Sequence, residues 1–301
     1  MTEEVLAVTG FFHESSKTVS YVVADHRAKR AAIIDPVLDF DSGGCLTDTG
    51  PADALIEFVQ QENLVVDWIL ETHLHEDHLS AAPYLREALG GVIAIGEGVC
   101  EVQKLLVGVF NLPDFPCDGR QFDRLLENGG SFSIGEFSAR AFAMPGHSSA
   151  SMCFLIGDCV FTGDTLLMPD NGTARCDVPG GNAGQLYRSV SALYGLPGET
   201  RIFPGHDYEQ KGRAPAWETS IADSIKNNVH IKEGVSEQDF VTYRERRDRG
   251  LSKPEHYYQA LQFNMAGGAA PAPESNGVSY FRIPVNALSA AAKPFRLRLV
   301  H

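Results

Sequence analysis

No stretch of this 301-residue chain approaches the roughly 20 consecutive apolar residues of a membrane-spanning helix, so no membrane partner is expected. Basic residues are scarce: 25 Lys and Arg stand against 39 Asp and Glu, a formal net charge of -14. Phosphate backbones reward basic surfaces, so no nucleic-acid partner is expected either. The one basic cluster, Arg244-Glu245-Arg246-Arg247-Asp248-Arg249, is interleaved with acids and reads as a solvated helix face. Six cysteines (45, 100, 117, 153, 159 and 176) form no CxxC pair and no disulfide framework, which predicts free thiols in a reducing compartment. Cys153 and Cys159 lie in apolar, strand-like sequence and read as core. The first residues, Met1-Thr2-Glu3-Glu4, are acidic and no long apolar h-region follows, so a secretory signal is not expected. These absences together predict a soluble, cytoplasmic protein.

What the chain does have is a dense group of metal-binding side chains. Thr72-His73-Leu74-His75-Glu76-Asp77-His78 places three imidazoles and the Asp77 carboxylate within one short segment. An apolar run at 65–70 precedes it and reads as a buried strand; apolar residues at helical spacing over 79–89 read as the following helix. The segment therefore sits at a strand-to-helix turn, where ligands can converge in a cleft. Gly146-His147 follows the apolar stretch 139–143, Gly163-Asp164 follows strand-like 153–162, and Gly205-His206 follows Arg201-Ile202-Phe203-Pro204. Each ligand type ends a strand beside a glycine, which lets the backbone turn sharply. Imidazole with carboxylate suits Zn, Fe or Mn better than soft copper sites. Clustered buried polar groups are costly without partners or a metal, so unrelated core histidines are a poor account of the ordered set.

These residues resemble the metallo-beta-lactamase fold, whose signature is a His-x-His-x-Asp-His turn followed by a distant His, Asp and His. The chain is similar, within that fold, to the glutathione-linked branch that holds glyoxalase II, the persulfide dioxygenases and bacterial proteins called beta-lactamase hydrolase-like. Ile69-Leu70-Glu71-Thr72-His73, Asp77-His78-Leu79-Ser80-Ala81-Ala82, Phe161-Thr162-Gly163-Asp164-Thr165-Leu166, Gly172-Thr173-Ala174-Arg175-Cys176-Asp177, His206-Asp207-Tyr208 and Asn264-Met265 look like persulfide dioxygenase segments. The resemblance implies an α+β fold, a four-layer αββα sandwich with the metal at one edge. With it, the helical, polar pattern over 217–263 and the Gly, Ala and Pro run at 267–273 place the core at 1–210, a helical C-terminal subdomain packed on it at 211–265, and a loop, short final strand and disordered tail at 266–301. A homodimer is also implied.

Two uses of the metal follow from the resemblance. With one Fe(II) per chain, His73, His147 and Asp164 are the ligands, and His75, Asp77, His78 and His206 surround them. With two Zn, His73, His75 and His147 hold one ion, Asp77, His78 and His206 the other, and Asp164 bridges them. All seven groups are present, so ligand residues alone leave both open. Leu79-Ser80-Ala81 stands where glyoxalase II has a glycine pair, and His206-Asp207-Tyr208 where it has a Glu. Those departures favour a persulfide dioxygenase, which oxidises glutathione persulfide with O2 to sulfite and glutathione. Arg175 is then the substrate-binding arginine; Tyr208, with Asp77 beside the metal, is a catalytic candidate that contacts substrate or oxygen. The basic residues with which glyoxalase II grips its thioester are not evident, leaving Lys226, Lys232 and Arg213 as open candidates. The competing expectations are a dinuclear zinc thioesterase and a non-catalytic persulfide-binding protein.

Overall fold

Neighbouring residues of a strand face opposite sides of its sheet, and that alternation sorts the apolar residues into separate cores. The computed structural model describes residues 6–208 and 212–285. The first part contains β1 (Ala7–His13), β2 (Thr18–Asp25), β3 (Arg30–Ile34), β4 (Val37–Asp41), β5 (Leu46–Asp48), α1 (Gly50–Gln61), β6 (Val65–Leu70), β7 (Leu79–Ser80), α2 (Ala82–Leu89), β8 (Val92–Gly96), α3 (Val99–Phe110) and β9 (Arg124–Leu126). The second contains β10 (Ser131–Ile134), β11 (Phe137–Ala143), β12 (Met152–Ile156), β13 (Cys159–Gly163), α4 (Ala183–Leu193), β14 (Arg201–Pro204), β15 (Thr219–Ser220), α5 (Ile221–Asn227), α6 (Glu237–Asp248) and α7 (Tyr257–Met265).

One six-stranded sheet has the order β1-β2-β3-β6-β8-β9 and the other β10-β11-β12-β13-β14-β15; β5-β4-β7 form a small third sheet. Val19, Tyr21 and Val23 of β2 point between the large sheets, where they meet Phe154, Phe161 and Phe203. Val22 and Ala24 point the other way, into a core shared with Leu55 of α1, Leu85 of α2, Leu106 of α3 and Leu261 of α7. The outer face of the second sheet, through Cys153, Val160 and Ile202, packs on Leu186 of α4, Ile221 of α5 and Phe240 of α6. This is the expected αββα sandwich. Burying each such side chain contributes about 1.5–3 kcal/mol, so three apolar layers hold the strand ends in register.

The C-terminal helices divide between layers: α5 and α6 cover the second sheet, whereas α7 crosses to the first. Residues 251–256 link them along one wall of the cleft.

Several local expectations need correction. The helix expected over 79–89 begins only at Ala82, because Leu79–Ser80 pairs with Val37–Leu38 of β4. Pro83 in the first turn favours that start, since its missing N–H would be unpaired there anyway. The 153–162 run is a hairpin, β12 and β13, turning at Gly157. The basic cluster is not wholly solvated: Arg244 is 1% exposed, paired with Asp248 and donating to the Thr173 carbonyl. Residues 266–285 contain no strand, and the remainder of the expected loop, final strand and tail, 286–301, lies outside the described residues, so that expectation is neither met nor overturned.

Candidate metal centre

Strand β6 delivers the chain to its carboxyl end at Leu70, and residues 71–78 then turn across the ends of both large sheets. His73, His75 and His78 are at most 2% exposed there, and His147 and His206, from the turns after β11 and β14, are 0% and 1% exposed. The rings of His73 and His75 are 4.1 Å apart, those of His73 and His147 4.8 Å, and those of His75 and His78 4.3 Å. Packing imidazoles this closely is unfavourable if they carry protons.

Four of the rings are anchored through one nitrogen. His73 Nδ1 lies 3.0 Å from the Thr72 hydroxyl, His78 Nδ1 donates to the Leu79 carbonyl at 3.0 Å, and His147 Nδ1 donates to the Arg175 carbonyl at 2.7 Å. His75 uses Nε2, which is 3.0 Å from Asp35 Oδ1 and 3.3 Å from Glu71 Oε2. The opposite nitrogens, Nε2 of His73, His78 and His147 and Nδ1 of His75, are buried without a hydrogen-bond partner, as is Asp164 Oδ1. Orphaned buried acceptors are expensive, and a cation that takes their lone pairs resolves the cost. The donor set therefore fits a metal of the Zn, Fe or Mn class.

Asp164 is placed between the two expected ligand groups, 3.8 Å from His147 Nε2 and 3.4 Å from His206 Nε2. Asp77 lies 3.6 Å from His206 Nε2 and accepts from the Thr18 hydroxyl at 3.1 Å. Thr18 also bridges to His206, and the Val19 N–H donates to the Gly205 carbonyl, so the start of β2 holds the His206 turn in place. Gly163 has φ +48°, and a Cβ there would come 2.4 Å from Thr72 Oγ1. Only glycine lets the Asp164 turn close on the histidine turn.

Burial, reinforced by the neighbouring imidazoles of His75 and His147, holds His73 well below the ordinary histidine range. Burial likewise brings His78 down to about 4. His147 goes the other way: burial opposes its charge, but Glu76 and then Asp164 raise it to about 9. Asp77 is held at about 2 against the effect of burial, chiefly by His78 and His206. Burial pushes Asp164 up. A site that mixes held and rejected protons in this way is one whose protons a cation would displace.

A cavity of about 650 Å³ opens beside this group, with Glu76, Asp77, His78, Asp164, His206 and Tyr208 on its wall; His73 and His147 do not reach it. Tyr208 is 50% exposed and stacks on the His206 ring at 5.3 Å. Arg175 lines the cavity, but its guanidinium already clasps Asp177 at 2.6 and 2.8 Å and donates to the Ser252 carbonyl. Arg213 is bound to Asp170 and Asp207, and neither Lys226 nor Lys232 lines the cavity. Cys176 packs on the core of the second helical layer, where burial raises its thiol to about 12, and it does not line the cavity either.

The structure adds residues that the motif did not point to. Asp35, 1% exposed at the end of β3, accepts the Thr72 N–H and hydroxyl, both at 2.7 Å, besides pairing with His75. Asn264 of α7 donates to the carbonyls of His75 and His78 at 2.9 and 2.8 Å and accepts the Ser80 N–H. Glu76 occupies a position that the motif leaves open, and its Oε2 lies 3.3 Å from His147 Nε2. Arg247, from the cluster read as a solvated face, and Lys253 supply cavity cations. Glu76 was visible in the segment; the others lie too far away in the chain for spacing to reveal.

Residues 16–206 match the metallo-beta-lactamase superfamily. Among curated proteins, the chain is 47% identical over 285 residues to a beta-lactamase hydrolase-like protein of Xylella fastidiosa, covering 95% of this chain and 66% of that protein. The chain thus spans just under two thirds of that relative's length. It is 40% identical over 276 residues to glyoxylase B2 of Dictyostelium discoideum, covering 91% and 94%. It is 32% identical over 200 residues to the human mitochondrial persulfide dioxygenase ETHE1, covering 65% and 66%. Among solved structures, ETHE1 from Myxococcus xanthus superposes with a TM-score of 0.69 at 30% identity, covering 87% of this chain and 99% of that one.

Proposed function

The chain belongs to the metallo-beta-lactamase superfamily, and from that premise we propose that it is a persulfide dioxygenase converting glutathione persulfide, O2 and water to sulfite and glutathione. What supports this most is the donor set of His73 Nε2 and His147 Nε2, both without partners, with the Asp164 carboxylate 3.8 Å from His147. Two imidazoles and one carboxylate on a single metal face are the ligand set of non-haem iron oxygenases. The similarity to persulfide dioxygenase ETHE1 points the same way. Ferrous iron bound by these three would supply the redox chemistry between O2 and sulfur.

The chain's own residues do the positioning. The Thr72 hydroxyl and the Arg175 carbonyl fix the rings of His73 and His147, so that Nε2 of each faces inward. The cavity of about 650 Å³ is within the size range of small-molecule sites. Arg247 and Lys253 on its wall offer cations for the two carboxylates of a glutathione moiety. Such a pocket explains how a protein of formal charge -14 can hold an anionic substrate. Asp77 stays ionised and orients His206, on which Tyr208 stacks at the cavity wall.

Metal analysis of anaerobically purified protein, coupled to O2 uptake with glutathione persulfide, tests the proposal. About one iron per chain, with O2 consumed and sulfite formed, is expected. Two zinc ions per chain, no O2 uptake and hydrolysis of a lactoyl-glutathione thioester would replace it with a glyoxalase II-type reading. That second reading draws on a specific observation: Asp164 lies within 4 Å of both His147 and His206, and His75 Nδ1 and His78 Nε2 are also unpartnered.

A further inference from the structure

Glu76 is 5% exposed, and no arginine or lysine among the described residues lies within ion-pairing distance of its carboxylate. Burying a carboxylate is costly unless a cation answers it. The group facing it is His147 Nε2, 3.3 Å from Glu76 Oε2 and thus closer to Glu76 than to Asp164. His73, Glu76 and His147 each offer a ligand atom within 4.8 Å of the others, and Nε2 is the unpartnered nitrogen of both rings. Both nitrogens are buried and neither has a hydrogen-bond partner, so two independent donors stand beside the Glu76 carboxylate.

We propose that Glu76 is itself a metal ligand, so that the ion between His73 and His147 is held by two imidazoles and two carboxylates, Glu76 and Asp164. The inference rests on the presence of a metal centre, not on the choice between oxygen chemistry and hydrolysis. With a dication in place, two carboxylates neutralise it, which favours Fe, Mn or Zn over a softer, singly charged ion. Glu76 also lines the cavity that His73 and His147 do not reach, so it stands on the substrate side of the ion. A second carboxylate there reduces the positive charge offered to an anionic sulfur and leaves more of substrate capture to the cavity cations.

The test uses the whole chain as parent, Glu76→Gln and Glu76→Ala, stripped by chelator and titrated with Co(II) and with Zn(II) under chelator competition. Loss of a directly bound group is expected to weaken the first metal by at least about 10–100-fold in both variants, the range seen for outer-shell losses. The visible Co(II) spectrum should change in band position and intensity, because the ligand set has changed. The metal-free variants should melt no lower than the metal-free parent, whereas the rise in Tm on adding metal should shrink. Unchanged affinity with an unchanged Co(II) spectrum would overturn the assignment. A lowered metal-free Tm with parental metal affinity would also overturn it, by making Glu76 structural. A parent chain that takes up no metal would remove the metal centre itself, and Glu76's role with it.

Discussion

Asp35 Oδ1 lies 3.0 Å from His75 Nε2, and the same carboxylate receives the N–H and hydroxyl of Thr72, the residue that anchors His73. One buried side chain from β3 thus sets the orientation of two histidines on the turn after β6. Asp35 has φ +50°, a conformation that Asn and Asp tolerate better than most residues.

Asp35→Ala is expected to cost about 3–5 kcal/mol, the range for breaking a buried pair and leaving its partner uncompensated. Asp35→Asn keeps the shape and the backbone preference and should cost less, while still weakening metal binding by about 10–100-fold. Urea unfolding and chelator competition measure the two effects. Equal stability losses in the two variants would count against the charge argument.

Asn264 ties α7 to the histidine turn through three hydrogen bonds. Asn264→Ala leaves two buried carbonyls and the Ser80 N–H unpaired, with an expected loss of about 2–4 kcal/mol. Metal retention should fall with it, since the turn loses its brace. Differential scanning calorimetry with and without metal checks both. A variant that keeps the parental gain in Tm on metal addition would show that α7 does not support the site.

Gly163→Ala forces a Cβ against Thr72 Oγ1 at a left-handed position. The backbone conformation alone costs about 1–2 kcal/mol, and displacement of Thr72 adds to it. Combining it with Thr72→Ala, which removes the clashing hydroxyl, should recover part of the loss. A double-mutant cycle with no coupling between the two positions would exclude the contact as the cause.

His230 accepts the Thr173 N–H at 2.9 Å, and burial, then Arg244 and Arg247, brings it down to about 3. The folded state therefore binds fewer protons at this site than the unfolded chain, whose histidine titrates near about 6.5. Its contribution to stability is present above pH of about 6.5 and declines as pH falls toward about 3. His230→Gln, which still offers an acceptor but has no proton to gain, should lose less stability than the parent between pH of about 6.5 and 4. Parallel denaturation curves across that window would place the acid sensitivity elsewhere.

The strands beside the site and the metal cluster were legible in the sequence because their signals are local, whereas the sandwich was expected from the resemblance that those motifs carry. Apolar runs mark buried strands, and the histidine turn, His147, Asp164 and His206 each follow such a run. Leu79 was misread as helical because apolar spacing carries no information about its partner across the sheet, Val37–Leu38 of β4. The same limit turned Arg244 into a surface residue: its neighbours in sequence are charged, and its burial depends on Asp248 and on the Thr173 carbonyl 71 residues away.

By itself, then, the sequence determined which residues could hold a metal and which apolar runs would be buried as strands, since donor chemistry and hydrophobic pattern are properties of the chain. Tertiary structure decided the rest: which nitrogen of each histidine is free, that Asp35 and Asn264 brace the turn, and that Glu76 faces His147. Those relations depend on ångström-scale distances between segments that meet only after folding, and neither composition nor spacing encodes which side of an imidazole its distant neighbours will occupy.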